Sequence, residues 1–168
     1  DADRFEEVIT RGCWPLHPLA TWFLTRQKEI VQSRSALTFI KEAIASVQDE
    51  SAVVGSHLRQ ISVSELVLQS MLPEILAAEQ ATGAVVAETL QMLLSKFEGH
   101  LTHHQRLALV GIAIVEKMRV GRHSKPNMDL LLQQATLLSN QLLEEALNAL
   151  SQDFGAIEWN DELGQYEL

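Results

Sequence analysis

A single cysteine, Cys13, stands among 168 residues, so no internal disulfide can form. Cysteine usage this sparse indicates a reducing, cytoplasmic setting. No apolar run approaches the roughly 20 residues that cross a bilayer. The longest, Leu107 to Val115, is short and is interrupted by Gly111. No basic-then-apolar leader opens the chain, so no membrane partner is expected. The motifs of nucleotide and nucleophile chemistry are missing as well. There is no GxxxxGK(S/T) to cradle phosphates, and no GxGxxG, GxSxG or HExxH. The expectation is a non-enzymatic chain with no metal or cofactor of its own.

Basic residues are scarce, and their scarcity has a direction. Thirteen Lys and Arg oppose 22 Asp and Glu, a formal net charge of -9. From Asn140 to Leu168 there is no Lys or Arg, whereas Glu144, Glu145, Asp153, Glu158, Asp161, Glu162 and Glu167 all fall there. Phosphate backbones are bound by clustered cations, so such a chain is a poor general nucleic-acid binder. The one close group of cations is Lys117, Arg119, Arg122 and Lys125, at a helix end and in the loop after it. Two readings apply to it: a solvated loop suited to a helix C-terminus, or a contact for a phosphate or an acidic partner through Arg119, Arg122 and Lys125.

Hydrophobic residues make up 46% and charged residues 21%, which excludes general disorder and predicts one domain or two small ones. The periodicity is helical. Asp1 to Arg11 carries Phe5, Val8 and Ile9 at helical spacing, with no initiator Met before it, as expected of an excised or processed piece. Gly12, Pro15 and Pro18 break the chain. Leu19 to Val31 and Ser35 to Val47 then read as helices, the first offering Trp22, Phe23 and Ile30 to a core. The second offers Leu37, Ile40 and Ile44. Gln48 to Ser56 reads as a polar loop. Ser62 with Glu65, and Thr102 with Gln105, are capping boxes. Pro73 should kink or restart the helix it interrupts. A helix from Val85 to Phe97 stops at Gly99. The helix after Thr102 is apolar nearly all round and should be central.

The last third predicts a short helix from Asn127 to Leu137, a helix capped by Ser139, and a hairpin from Ala156 to Leu168 around a Gly-containing turn. Three helices followed by a hairpin is the order of a winged-helix domain. The whole therefore reads as mainly α: a helical domain over 1–99, then a winged-helix-like domain over 100–168 ending in a β-hairpin. Its third helix carries Glu144, Glu145 and Asp153 and no cation, so it would repel phosphates in a major groove. A protein-contact module is the better expectation.

The candidate chemical groups are weak. Cys13 has His17 four residues on, but nothing local orients the pair, and it reads as a buried thiol. His100, His103 and His104 lack the further ligands a zinc site needs. Glu144 and Glu145 are adjacent on a helix and do not face one another.

The run Gly12-Cys13-Trp14-Pro15-Leu16-His17-Pro18-Leu19, with Gln32-Ser33-Arg34-Ser35-Ala36-Leu37-Thr38-Phe39-Ile40 after it, resembles a passage in large P-loop ATPases of BREX-type phage-defence systems and related AAA+-like proteins. In that family the passage follows the nucleotide-binding core and precedes a helical region with a winged-helix-like ending. The resemblance implies that residues 1–99 are lid-like. It also implies that ATP and Mg²⁺ belong to a larger parent, and that this region couples nucleotide state to protein partners. Arg34 also matches the start of an AAA+ lid helix, where an arginine can sense a γ-phosphate. A guanidinium is always charged and can grip phosphate bidentately, and a cation at a helix N-terminus is otherwise slightly unfavourable. Two alternatives stay open: a stand-alone helical adaptor or transcription-associated winged-helix protein, and DNA binding through the loop over 119–125.

Overall fold

Two prolines and a histidine organise the first described turn. In the computed structural model, which describes residues 13–27, 36–54, 57–118 and 121–168, helix α1 runs Pro18–Arg26. Pro18 sits at the helix start, where an N–H would have no intrahelical acceptor. His17 is the cap, its Nδ1 accepting from Leu19 N–H at 3.3 Å. The preceding turn is tied to residues 59–61: Ile61 N–H donates to the Pro15 carbonyl at 2.7 Å, and His17 N–H to the Ile61 carbonyl at 2.9 Å. Trp14 Nε1 donates to the Arg59 carbonyl at 3.0 Å. Helix α1 closes at Arg26, with Gln27 N–H on the Leu24 carbonyl, and residues 28–31 of the expected helix lie outside the described residues. Of its two aromatics only Phe23 is core. Trp22 is exposed, with the Arg26 guanidinium 5.2 Å from its ring centroid.

Helix α2 runs Ala36–Ser46 and buries Phe39 and Ala43. Leu37 and Ile44, expected inside, are 75% and 39% exposed. The aromatic ring takes the inward face, and its larger apolar area outweighs that of the leucine. From inside the expected polar loop, β1 (Val53–Val54) pairs antiparallel with β2 (His57–Leu58), just past its end. Helix α3, Val63–Leu66, opens with the predicted capping box: Glu65 N–H on Ser62 Oγ at 3.0 Å and Ser62 N–H on Glu65 Oε2 at 2.9 Å. A π turn over Val67–Met71 then leads into α4, Leu72–Thr82. Of the two expectations, a kink or a restart, the restart does not occur at Pro73. The chain widens by one residue just before it, with Leu72 N–H on the Val67 carbonyl, which accommodates a residue that has no donor.

Contacts divide the chain into two compact units, 1–74 and 75–168, inside α4. The sequence placed the division near 99. It falls earlier because α5 (Val86–Lys96) packs on α6 (His103–Met118). Helix α6 is the centre of its unit. Every residue from Leu107 to Val115 is buried, Gly111 included, and α5, α7 (Lys125–Thr136) and α8 (Asn140–Gln152) all pack on it. The second capping box is present, with Thr102 N–H on Gln105 Oε1 at 2.8 Å. Helix α7 starts at Lys125, earlier than Asn127, because Pro126 suits a helix start. The chain ends in an antiparallel hairpin, β3 (Glu158–Asn160) with β4 (Gln165–Glu167), in the register Trp159 opposite Tyr166. The architecture is thus mainly helical with a small C-terminal hairpin. No helix among the described residues is long and apolar enough to cross a membrane.

The α1 cap is pH-sensitive. Burial holds the His17 imidazole below its usual range, and protonation would turn its accepting nitrogen into a donor. The unfolded chain therefore takes up this proton first. Stability is full above the unfolded pKa of about 6.5 and falls as pH drops below it. Urea unfolding at pH 7.5 and 5.5 should show a loss on acidification, at most about the 1 kcal/mol of a cap. His17→Asn, which keeps an acceptor, should flatten the difference.

Candidate interaction site

The second unit carries its chemistry around the hairpin. Strand β4 alternates sides, so Gln165 lines one cleft and Tyr166 another.

The larger cleft, about 540 Å³, is lined by Glu79, Val86, Glu116, Lys117, Arg122 and Leu163, among others. Its anchor is Glu79, which is only 2% exposed. Glu79 Oε2 accepts from Ala87 N–H at 2.7 Å, and Oε1 accepts from Lys117 Nζ at 2.7 Å. Ala87 lies in the first turn of α5, and the residue before that helix, Val85, has no side-chain cap to offer. Glu79 therefore caps α5 from α4, where the helix dipole favours an anion. The sequence reading missed this role. The available signal was a carboxylate inside the apolar stretch Leu76-Ala77-Ala78, shortly before the uncapped Val85.

Next to Lys117 in α6, Glu116 is half-buried. Its carboxyl is held above the usual range, mainly by burial, then by the charges of Glu167 and Glu79.

The cationic loop is engaged by the hairpin. Arg122 Nη2 donates to the Asp161 carbonyl at 3.2 Å, and His123 N–H to the Gly164 carbonyl at 3.3 Å. Gly164 has φ 63°, and a Cβ there would lie 2.3 Å from the His123 carbonyl oxygen, so glycine alone permits the approach. Asn160 Oδ1 accepts from the N–H groups of Glu162 and Leu163 and shapes the tip. Lys125 Nζ lies 5.9 Å from the Tyr166 ring centroid. Of the predicted contact residues, Arg122 and Lys125 therefore meet at the hairpin. Arg119 and the candidate sensor Arg34 lie outside the described residues.

The second cleft, about 240 Å³, opens between α7, α8 and β4. Tyr166 is buried, its hydroxyl donating to Asp129 Oδ1 at 3.1 Å and its ring meeting Trp159 edge-on at 5.1 Å. Burial first, then the Asp129 charge and hydrogen bond, push the phenol well above its usual range. It remains a hydrogen-bond donor.

The remaining candidates are dispersed. Cys13 is partly exposed, not buried as expected. His100 Nδ1 donates to the Glu98 carbonyl, and the rings of His103 and His104 are tilted at 6.3 Å. Among the described residues, no group of three or more His, Cys, Asp or Glu could hold a metal ion. Comparison with protein families, with curated proteins and with solved structures finds no match to this chain.

Ionised Glu116 should oppose folding at neutral pH. Its raised pKa means that the folded chain holds this proton more tightly, so stability is regained as pH falls through the raised value towards the ordinary one. Glu116→Gln should stabilise by less than about 1 kcal/mol at pH 7, since the group is only half-buried. The gain should vanish near pH 4, below the ordinary glutamate pKa of about 4.3. Urea midpoints at the two pH values measure it.

Proposed function

We propose that this chain is the non-catalytic lid and winged-helix portion of a large P-loop ATPase of the phage-defence kind, coupling nucleotide state to contacts with protein partners. The observation that carries the reading is the order α6, α7, α8, β3, β4, three mutually packed helices and a hairpin, with a third helix that has no cation. That order supports the winged-helix reading, and the charge favours protein over DNA. The parent class comes from the resemblance over residues 12–43. The turn through Trp14, Pro15, His17 and Pro18 is stitched by backbone hydrogen bonds to residues 59–61, which suits a fixed structural element between a nucleotide core and a lid. Helix α2, described from Ala36, lies just past Arg34, consistent with an arginine at the mouth of a lid helix.

In this reading ATP and Mg²⁺ are held by the parent's nucleotide core, and Arg34 reaches the γ-phosphate as a sensor. DNA binding through Arg122 and Lys125 is disfavoured, because both cations already sit on the hairpin. Arg34→Ala in the complete parent should lower ATP turnover roughly tenfold or more, as loss of a charge-stabilising arginine does. Unchanged turnover would contradict the sensor role and the coupling built on it.

A further inference from the structure

We infer that the cleft between α7, α8 and β4 takes an arginine side chain from a basic segment of a protein partner. The inference rests on the reading of the second unit as a protein-contact module and names the chemistry of its partner.

Size comes first. At about 240 Å³ the cleft is below the roughly 300–1,000 Å³ of small-molecule sites. It suits one side chain. Its floor is apolar, formed by Leu143 and Leu147, 1% and 6% exposed. The three-carbon stem of an arginine can lie against such a floor while its head stays at the polar wall. That wall holds two carboxylates, Asp129 and the exposed Glu144, against one ammonium, Lys125. Asp129 accepts one hydrogen bond, from Tyr166, and a carboxylate can accept several. The Tyr166 ring forms a further side, and aromatic rings attract guanidinium groups. The molecule shows this preference itself, since Lys125 Nζ already lies 5.9 Å from that ring.

Charge selects the partner. The stretch from the start of α8 to the end of the hairpin, 140–168, contains seven acids and no Lys or Arg. An acidic segment would be repelled on approach, and a basic one attracted. Arginine is favoured over lysine, because a planar fork can bridge carboxylates and stack on an aromatic ring.

The test uses the isotope-labelled 168-residue chain, titrated with a blocked Gly-Arg-Gly-Arg-Gly peptide and followed by NMR. Saturable shifts are expected at Leu143, Leu147 and Tyr166. The citrulline counterpart of the peptide should bind at least about tenfold more weakly, since it lacks the charge. Glu144→Gln should weaken binding roughly threefold to tenfold. Lys125→Met should strengthen it, by removing the cation that competes for the ring; weakening would mark an anion site and overturn the inference. Shifts absent from the cleft, shifts equal with citrulline, or affinity unmoved by Glu144→Gln would also overturn it. Arg34→Ala in the parent reads the broader proposal without involving the cleft, so the two can fail separately.

Discussion

The Glu79 carboxylate is the point where α4, α5 and α6 are joined. It caps the N-terminus of α5 with one oxygen and holds Lys117 of α6 with the other. A carboxylate this buried would be costly alone. A helix dipole and an ammonium, both in hydrogen-bond contact, offset that cost. The pair also orients α6, whose run Leu107–Val115 is buried throughout and can only be a central helix. Helices α7 and α8 then bury Met128, Leu132, Leu143, Ala146 and Leu150 while packing on α6.

The hairpin is held to this core at two places. At its tip, Gly164 lets the backbone meet His123, and Arg122 holds the Asp161 carbonyl. On its strand, Tyr166 reaches Asp129. Arg122 and Lys125 therefore serve the fold, and the acidic residues of α8 face solvent without a basic neighbour in their own segment. Two clefts of different character result. One is built round a satisfied ion pair, the other round carboxylates, an aromatic ring and an apolar floor.

Much of the helical order was legible, because caps and periodicity are local. Ser62, Thr102 and Ser139 mark their helix starts, and the all-apolar helix declared its burial. Errors arose where tertiary contact decided. Leu37 and Ile44 have the right spacing for a core, yet Phe39 took the inward face. Pro73 was absorbed by a π turn that no local rule specifies. The division between units moved because α5 found its partner in α6. The site was less legible still. Glu79 and Ala87, or Asp129 and Tyr166, are brought together by packing, and neither pair has a sequence motif. Arg122 and Lys125 were visible as cations, but their attachment to the hairpin was not.

Arg122 and Lys125 are engaged within the fold, on the hairpin. Titration of a short fluorescent DNA duplex with the 168-residue chain at low salt tests this most directly, since low salt gives phosphate contacts their greatest strength. No binding that the Arg122→Gln, Lys125→Gln double substitution abolishes is expected. Salt-dependent binding lost on that double substitution would contradict it.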